Sequence, residues 1–116
     1  MGKVFVIGGG ASGMIAAIAA ARKGHKIVIF EKNEKLGKKL YITGKGRCNL
    51  TNACDKDAFF ENVTSNPKFL YKAFHHFDNY DVIDFFESLG LKTKIERGNR
   101  VFPVSDKSSD VIAVLK

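Results

Sequence analysis

The spacing of apolar positions changes several times along the chain, and each change marks an element. Lys3 to Ile7 is a short run rich in β-branched residues that opens directly into glycines, the pattern of a buried parallel strand. From Ala11 to Lys23, alanines and apolar residues lie almost all round a helical projection. That run ends in Arg22-Lys23 and is closed by Gly24, a residue suited to a left-handed stop. Ile27 to Phe30 is a second buried-type strand. The opening 31 residues therefore predict strand, glycine turn, helix, strand: a βαβ unit with a right-handed crossover.

After Glu31 the regular alternation stops. Asn33 to Thr51 is rich in Lys and Gly, with a helical turn predicted around Leu36 to Ile42, and reads as an extended loop over a ligand. Three amphipathic helices follow at Lys56 to Val63, Pro67 to Phe77 and Tyr80 to Leu89. Asn66-Pro67 is the predicted start of the second, Asp78 or Asn79 of the third, and Gly90 its end. Their Phe, Tyr, Leu and Ile positions recur at helical spacing and read as core rather than as a stacking platform for bases. Leu91 to Arg97 and Arg100 to Val104 alternate as strands around Gly98-Asn99, which suits a two-residue hairpin turn. Ser105 or Asp106 is the expected cap of a last helix that reaches Lys116 without a stop signal. The expected organisation is a βαβ unit and loop over 1–52, a helical segment over 53–90, a β-hairpin over 91–104 and the start of a helix over 105–116.

Length and composition narrow the class. With 116 residues, 45% of them hydrophobic, the chain fits one globular core. Its longest apolar stretch, Met14 to Ala21, stops at Arg22 and falls short of the roughly 20 residues a bilayer span needs. There is no signal-peptide pattern, and Val6 stands where an acylation signal wants Ser or Thr, so a cytoplasmic location and no membrane partner are expected. Two cysteines, Cys48 and Cys54, are too few for a disulfide framework. The net charge of +7 raises nucleic acid as a partner. Lys32, Lys35, Lys38, Lys39, Lys45 and Arg47 crowd the loop after the second strand, however, where a bound diphosphate gains from them, and no nucleic-acid motif is present. No nucleic-acid partner is expected.

The chemistry sits in Gly8-Gly9-Gly10-Ala11-Ser12-Gly13, a dinucleotide fingerprint. Gly8 lets the chain turn out of the strand, Gly10 clears the backbone for a pyrophosphate, and Gly13 permits close helix–strand contact. Free N–H groups at the helix start, with the helix dipole behind them, meet the phosphates, and Ser12 offers a hydroxyl. Glu31, at the end of the next strand, is placed to accept hydrogen bonds from ribose hydroxyls, and its charge argues against a 2′-phosphate. A nucleotide-hydrolase phosphate loop at Gly44-Lys45 fails, because Leu40 stands where its first glycine belongs and Gly46 replaces Ser or Thr.

At Gly37-Lys-Lys-Leu-Tyr-Ile-Thr-Gly-Lys-Gly-Arg-Cys-Asn-Leu-Thr-Asn52 and at Arg100-Val-Phe-Pro-Val-Ser-Asp-Lys-Ser-Ser-Asp110 the chain resembles the aminoacetone-oxidase-like FAD-binding family. These are bacterial NAD(P)/FAD-dependent oxidoreductases that include bile-acid-reducing flavoproteins. The resemblance covers nearly the whole chain. It implies an α/β fold, the N-terminal part of a Rossmann-like FAD-binding domain, within a protein several times longer. It also implies FAD as cofactor, with NAD(P)H as a candidate electron donor. Carried over by position, it puts Gly8, Gly10, Ala11, Ser12 and Gly13 at the pyrophosphate and Glu31 with Lys32 at the adenosine. Lys39, Thr43, Gly44, Gly46, Arg47, Cys48 and Asn49 then run toward the flavin. The residues that choose the small-molecule substrate fall beyond Lys116.

The remaining polar residues add little. Cys48 and Cys54 are separated by five residues where flavin disulfide reductases have four, so inert thiols are expected. His75 and His76 are neighbours and project about 100° apart on a helix, so no metal site is expected. No general acid or base stands out. The expected function is an FAD-dependent oxidoreductase, with a nicotinamide-dependent dehydrogenase or a basic nucleic-acid-binding module as alternatives. With only two parallel strands, this stretch alone is expected to be inactive, to expose apolar surface and to self-associate.

Overall fold

The computed structural model describes residues 2–116, which fall into two compact units, one formed by residues 2–48 with Lys107–Lys116 and the other by Asn49–Asp106. In the first unit, strand β1 (Lys3–Ile7) leads through the glycines into helix α1 (Ala11–Arg22) and strand β2 (Lys26–Phe30). β1 and β2 pair in parallel, from Lys3 opposite Lys26 to Ile7 opposite Phe30. Alternation along each strand splits the sheet into two faces. Val4, Val6, Ile27 and Ile29 are half-buried, whereas Phe5, Ile7, Val28 and Phe30 are exposed, Ile7 at 82%. Exposed apolar surface on a sheet of two strands is what the sequence predicted, because α1 covers one face only. α1 buries Met14 and Ala17.

The loop after β2 contains helix α2 (Lys38–Ile42) and a 3₁₀ turn, Thr43–Gly46. α2 packs against the last helix, α6 (Ser108–Leu115), which buries Val111, Ile112 and Leu115. α6 starts one or two residues later than expected, with Lys107 at its N-cap. Asp106 is not its cap: it sits at φ +60° with its carboxylate on Lys94 Nζ at 2.7 Å. Ser108 Oγ instead donates to the Tyr41 carbonyl at 2.6 Å, fixing the first residue of α6 on α2.

In the second unit, β3 (Thr51–Asn52), β4 (Thr93–Glu96) and β5 (Arg100–Pro103) form an antiparallel sheet in the order β3-β5-β4. The β4–β5 hairpin closes at Glu96 opposite Arg100, so its turn is the three residues Arg97–Asn99 rather than the two expected. Gly98 and Asn99 both take positive φ there, which glycine and asparagine tolerate best. β3 is a correction to the reading of this stretch as loop: a two-residue strand is too short to show alternation.

The helical part of this unit comprises α3 (Lys56–Glu61), α4 (Tyr71–His76) and α5 (Asn79–Ser88). The single helix expected from Pro67 to Phe77 is divided into a 3₁₀ turn, Pro67–Leu70, and α4, and Asn66 makes no side-chain cap bond. α5 is capped as its sequence suggests. Asp78 Oδ1 accepts the N–H groups of Tyr80 and Asp81, and Asp81 Oδ2 accepts that of Asp78, a reciprocal capping box. Phe74 lies tilted against Phe59 with ring centroids 4.4 Å apart and edge-on to Phe60 at 4.9 Å, and Tyr71 lies edge-on to Phe60 at 4.7 Å. Phe86, Leu91, Val101 and Phe102 complete the buried set. Among the described residues no helix is long and apolar enough to cross a membrane.

Candidate functional site

The junction of β1 and α1 is shaped by four glycines, each under a different constraint. Gly8 leaves the strand at φ +100°, a conformation L side chains rarely adopt. A Cβ on Gly9 would overlap Leu36 Cδ2 and sit 3.4 Å from Glu31 Oε1. A Cβ on Gly13 would overlap the Gly8 carbonyl oxygen, so helix and strand can approach only with hydrogen at that position. Around Gly10 there is no protein atom within 4 Å of such a Cβ. The turn is therefore packed solid on its inner side and open at Gly10, a cradle whose free side faces outward.

α1 begins at this open side. Gly10 is its N-cap with no side-chain capping bond, the first turn holds no acid, and Met14 N–H is the first to bond back, to the Gly10 carbonyl at 3.0 Å. The N–H groups of Ala11, Ser12 and Gly13 have no intrahelical acceptor, and no acid of the first turn itself offsets the positive end of the helix dipole. Ser12 is exposed beside them.

Glu31 stands directly over the turn. Its Oε1 accepts the Gly9 N–H at 2.8 Å and its Oε2 accepts the Asn33 N–H at 2.7 Å. These bonds, that of Asn33 first and that of Gly9 second, hold the carboxyl below the usual carboxylate range, with Lys32 adding a little. Gly9 is held on its other side as well, since its carbonyl accepts the Gly37 N–H at 2.8 Å. Sequence reasoning assigned Gly9 and Gly37 no part. Gly37, at φ +70°, with Ile112 Cγ1 only 3.0 Å from the place its Cβ would take, was legible as a special position only through its glycine.

The remaining site residues lie along the loop of the first unit or beyond it. Lys32 and Lys39 are exposed and half-buried Arg47 precedes Cys48. Thr43 Oγ1 donates to the Leu40 carbonyl at 2.7 Å. Gly44, Lys45 and Gly46 all take positive φ, as does Cys48. Cys48 is 1% exposed, and burial pushes its thiol up against a smaller opposing effect of Thr43. Both cysteines are free, Cys54 half-buried. Asn49 belongs to the second unit, where its Nδ2 donates to the carbonyls of Thr51 and Val101 at 2.9 and 3.1 Å. Among the described residues no group of three or more His, Cys, Asp and Glu could hold a metal.

Comparison with known proteins agrees with this geometry. The chain is 42% identical over its whole length to a 3-dehydro-bile acid delta(4,6)-reductase of Clostridium scindens, of which it covers 28%. It is 31% identical over 74% of its length to a ribosomal RNA dihydrouridine synthase of Escherichia coli, covering 21% of that protein. Over 34% of its length it is 52% identical to an NADH oxidase of Thermoanaerobacter brockii, covering 6% of it. The chain thus spans about a quarter or less of the length of these relatives. The model of the HI0933-like protein Rossmann domain matches residues 2–116, in keeping with the resemblance carried by Gly37 to Asn52 and Arg100 to Asp110. With its parallel βαβ start and its glycine fingerprint, the chain belongs to the HI0933-like protein Rossmann-domain family.

Proposed function

We propose that this chain holds the ADP half of FAD in a flavin-dependent oxidoreductase. The observation that carries the reading is the open side of the turn at Gly10, beside three N–H groups at a helix start whose first turn holds no acid. Gly8, Gly10, Ala11, Ser12 and Gly13 would meet the pyrophosphate. Glu31 would take the ribose hydroxyls: each carboxylate oxygen accepts one backbone N–H and has lone-pair capacity left for a further donor. Its negative charge disfavours a 2′-phosphate at that place. Lys32 belongs to the adenosine end, and Lys39, Thr43, Gly44, Gly46, Arg47, Cys48 and Asn49 to the path toward the ring system. In this reading the domain organisation is that of the N-terminal portion of an FAD-binding domain.

A bound flavin supplies hydride chemistry at its N5 position. The chain's own contribution is to bind and orient. Gly9 fixes Glu31 against the turn, and the packed inner side leaves one face of the turn for a ligand. The names of the relatives suggest the reaction class: delta(4,6)-reduction of a bile acid and formation of dihydrouridine both saturate a carbon–carbon double bond. Reduction of a double bond conjugated to a carbonyl, with NADH or NADPH as the electron source, is the reading taken for the whole protein.

Titration of the full-length protein with FAD and with NADH, each alone, tests the assignment. FAD should bind with a shifted flavin absorbance band, and Gly10→Ala should abolish uptake. Protein that stays colourless with FAD yet binds NADH would replace this reading with that of a nicotinamide-dependent dehydrogenase.

A further inference from the structure

The peptide group between Gly9 and Gly10 has a glycine on both sides. Turning such a plane over changes ψ of the residue before it and φ of the residue after it, and glycine accepts either sign. Side-chain sterics therefore give this plane no orientation of its own. Which of its edges faces the open side of the turn has to be set by a hydrogen bond.

The structure contains that bond. The carbonyl of buried Gly9 accepts the N–H of buried Gly37 at 2.8 Å, so its oxygen edge is tied inward to the loop after β2. No peptide bond among the described residues is cis, and in a planar trans peptide the carbonyl and the N–H point in opposite directions. The Gly10 N–H is thereby turned away from Gly37, on a residue that is exposed and has open space where a Cβ would go. It meets no acceptor among the described residues. Gly37 is itself pinned in place. Ile112 Cγ1 and Met14 Cε lie 3.0 and 3.3 Å from the position of its absent Cβ, and its carbonyl accepts the Tyr41 N–H at 2.9 Å. Helices α1, α2 and α6 thus converge on one backbone N–H.

From this we infer that Gly37 is a positioning residue for the cofactor diphosphate: its N–H locks the Gly9–Gly10 peptide so that the Gly10 N–H, and not the Gly9 carbonyl, meets the phosphate oxygens. Without the lock the plane is free to turn over, which removes a charge-assisted hydrogen bond and sets a carbonyl oxygen against an anion. The inference rests on the FAD reading of the turn and goes beyond it, because it gives control of the cradle to a backbone group outside the glycine fingerprint.

The test replaces the Leu36–Gly37 amide by an ester in the full-length protein, which deletes this N–H and leaves every side chain in place. Calorimetric titration of the flavin-free form should show ADP binding roughly tenfold to a hundredfold more weakly than to wild type, the loss expected for one hydrogen bond to a charged group. Adenosine, which carries no phosphate, should bind both proteins equally. An ester at the Leu40–Tyr41 amide removes the bond to the Gly37 carbonyl from the same loop and should leave ADP affinity unchanged, which separates the lock from a general loosening. In wild type with isotope-labelled glycine, the Gly10 amide proton should move downfield when FAD binds, a readout that stands even if the ester variant does not fold. Undiminished ADP affinity in the Gly37 ester, an equal loss of adenosine and ADP, the same loss in the Tyr41 ester, or a Gly10 proton that stays in place with FAD bound would each overturn the inference while leaving the cofactor reading intact. Wild type that binds neither FAD nor ADP would remove the cofactor reading, and this inference with it.

Discussion

Glu31 accepts the Gly9 N–H through Oε1 at 2.8 Å, so the acid that ends β2 is bonded directly to the turn that ends β1. Its other oxygen holds the Asn33 N–H at 2.7 Å, and the strand end, the glycine turn and the start of the loop are thereby tied through one carboxylate. Both bonds favour the charged form, which is why the group titrates below its ordinary value near 4.5. A carboxylate with a lowered folded pKa contributes stability that is fully present above the unfolded value and is lost as pH falls through the folded one. Glu31→Gln, whose amide nitrogen would face an N–H, should therefore melt at a lower temperature than wild type at pH 7. The gap should narrow as the pH is taken below the carboxylate range. Thermal melts of both proteins at neutral and acid pH measure it, and a gap that is constant or widens with acid would contradict the assignment.

Substitutions at Gly10 and Gly13 should separate ligand binding from folding. Gly10 has φ −82° and open space where a Cβ would go, so Gly10→Ala should shift stability by no more than about 0.5 kcal/mol while blocking the approach of a pyrophosphate. At Gly13 the added carbon meets a backbone carbonyl, which cannot rotate aside as a side-chain end can. Gly13→Ala should cost roughly 1–3 kcal/mol, as overpacking does. Urea denaturation paired with flavin absorbance on both variants distinguishes the two effects, and equal losses of stability would remove the distinction.

The opening of the fold was legible because its signals are local. β1, the turn, α1 and β2 follow one another within 30 residues, and each is marked by its own periodicity or glycine. β3 was not legible, since it is defined by pairing Thr51 with Val101, fifty positions away. The constraints on Gly8 and Gly13 in the turn could be read from the fingerprint, but that on Gly9 could not. Its constraint comes from Leu36 and Glu31, which reach it only after the loop has folded back.

Lys45 occupies left-handed backbone at φ 56°, ψ 41°, between two glycines that take positive φ without penalty. A side chain there sets Cβ close to a carbonyl oxygen, and the relief on removing it exceeds the extra entropy glycine has in the unfolded chain. Lys45→Gly should raise stability by roughly 0.5–1 kcal/mol. A urea midpoint that rises with unchanged slope would show it; a fall would mean that the lysine side chain makes an interaction worth more than the strain.

Asn79, 4% exposed in the first turn of α5, donates through Nδ2 to the Asn52 carbonyl at 2.6 Å and to the Cys54 carbonyl at 2.8 Å. The stretch it grips is too irregular to satisfy its own backbone, and neighbouring side chains complete the task. Tyr80 Oη donates to the Ala53 carbonyl at 2.7 Å, while Asn52 Oδ1 accepts the Cys54 N–H at 3.0 Å. Asn79→Ala would leave two carbonyls without donors in a place water reaches poorly, at a cost of roughly 2–3 kcal/mol. Asn79→Asp should be worse, since a carboxylate would face two carbonyl oxygens with nothing to donate. Protonation of that carboxylate in acid restores one donor, so the Asp variant should recover stability relative to the Ala variant as pH falls. Melts of the pair across that range decide whether the amide hydrogens of Asn79, rather than its volume, hold the segment in place.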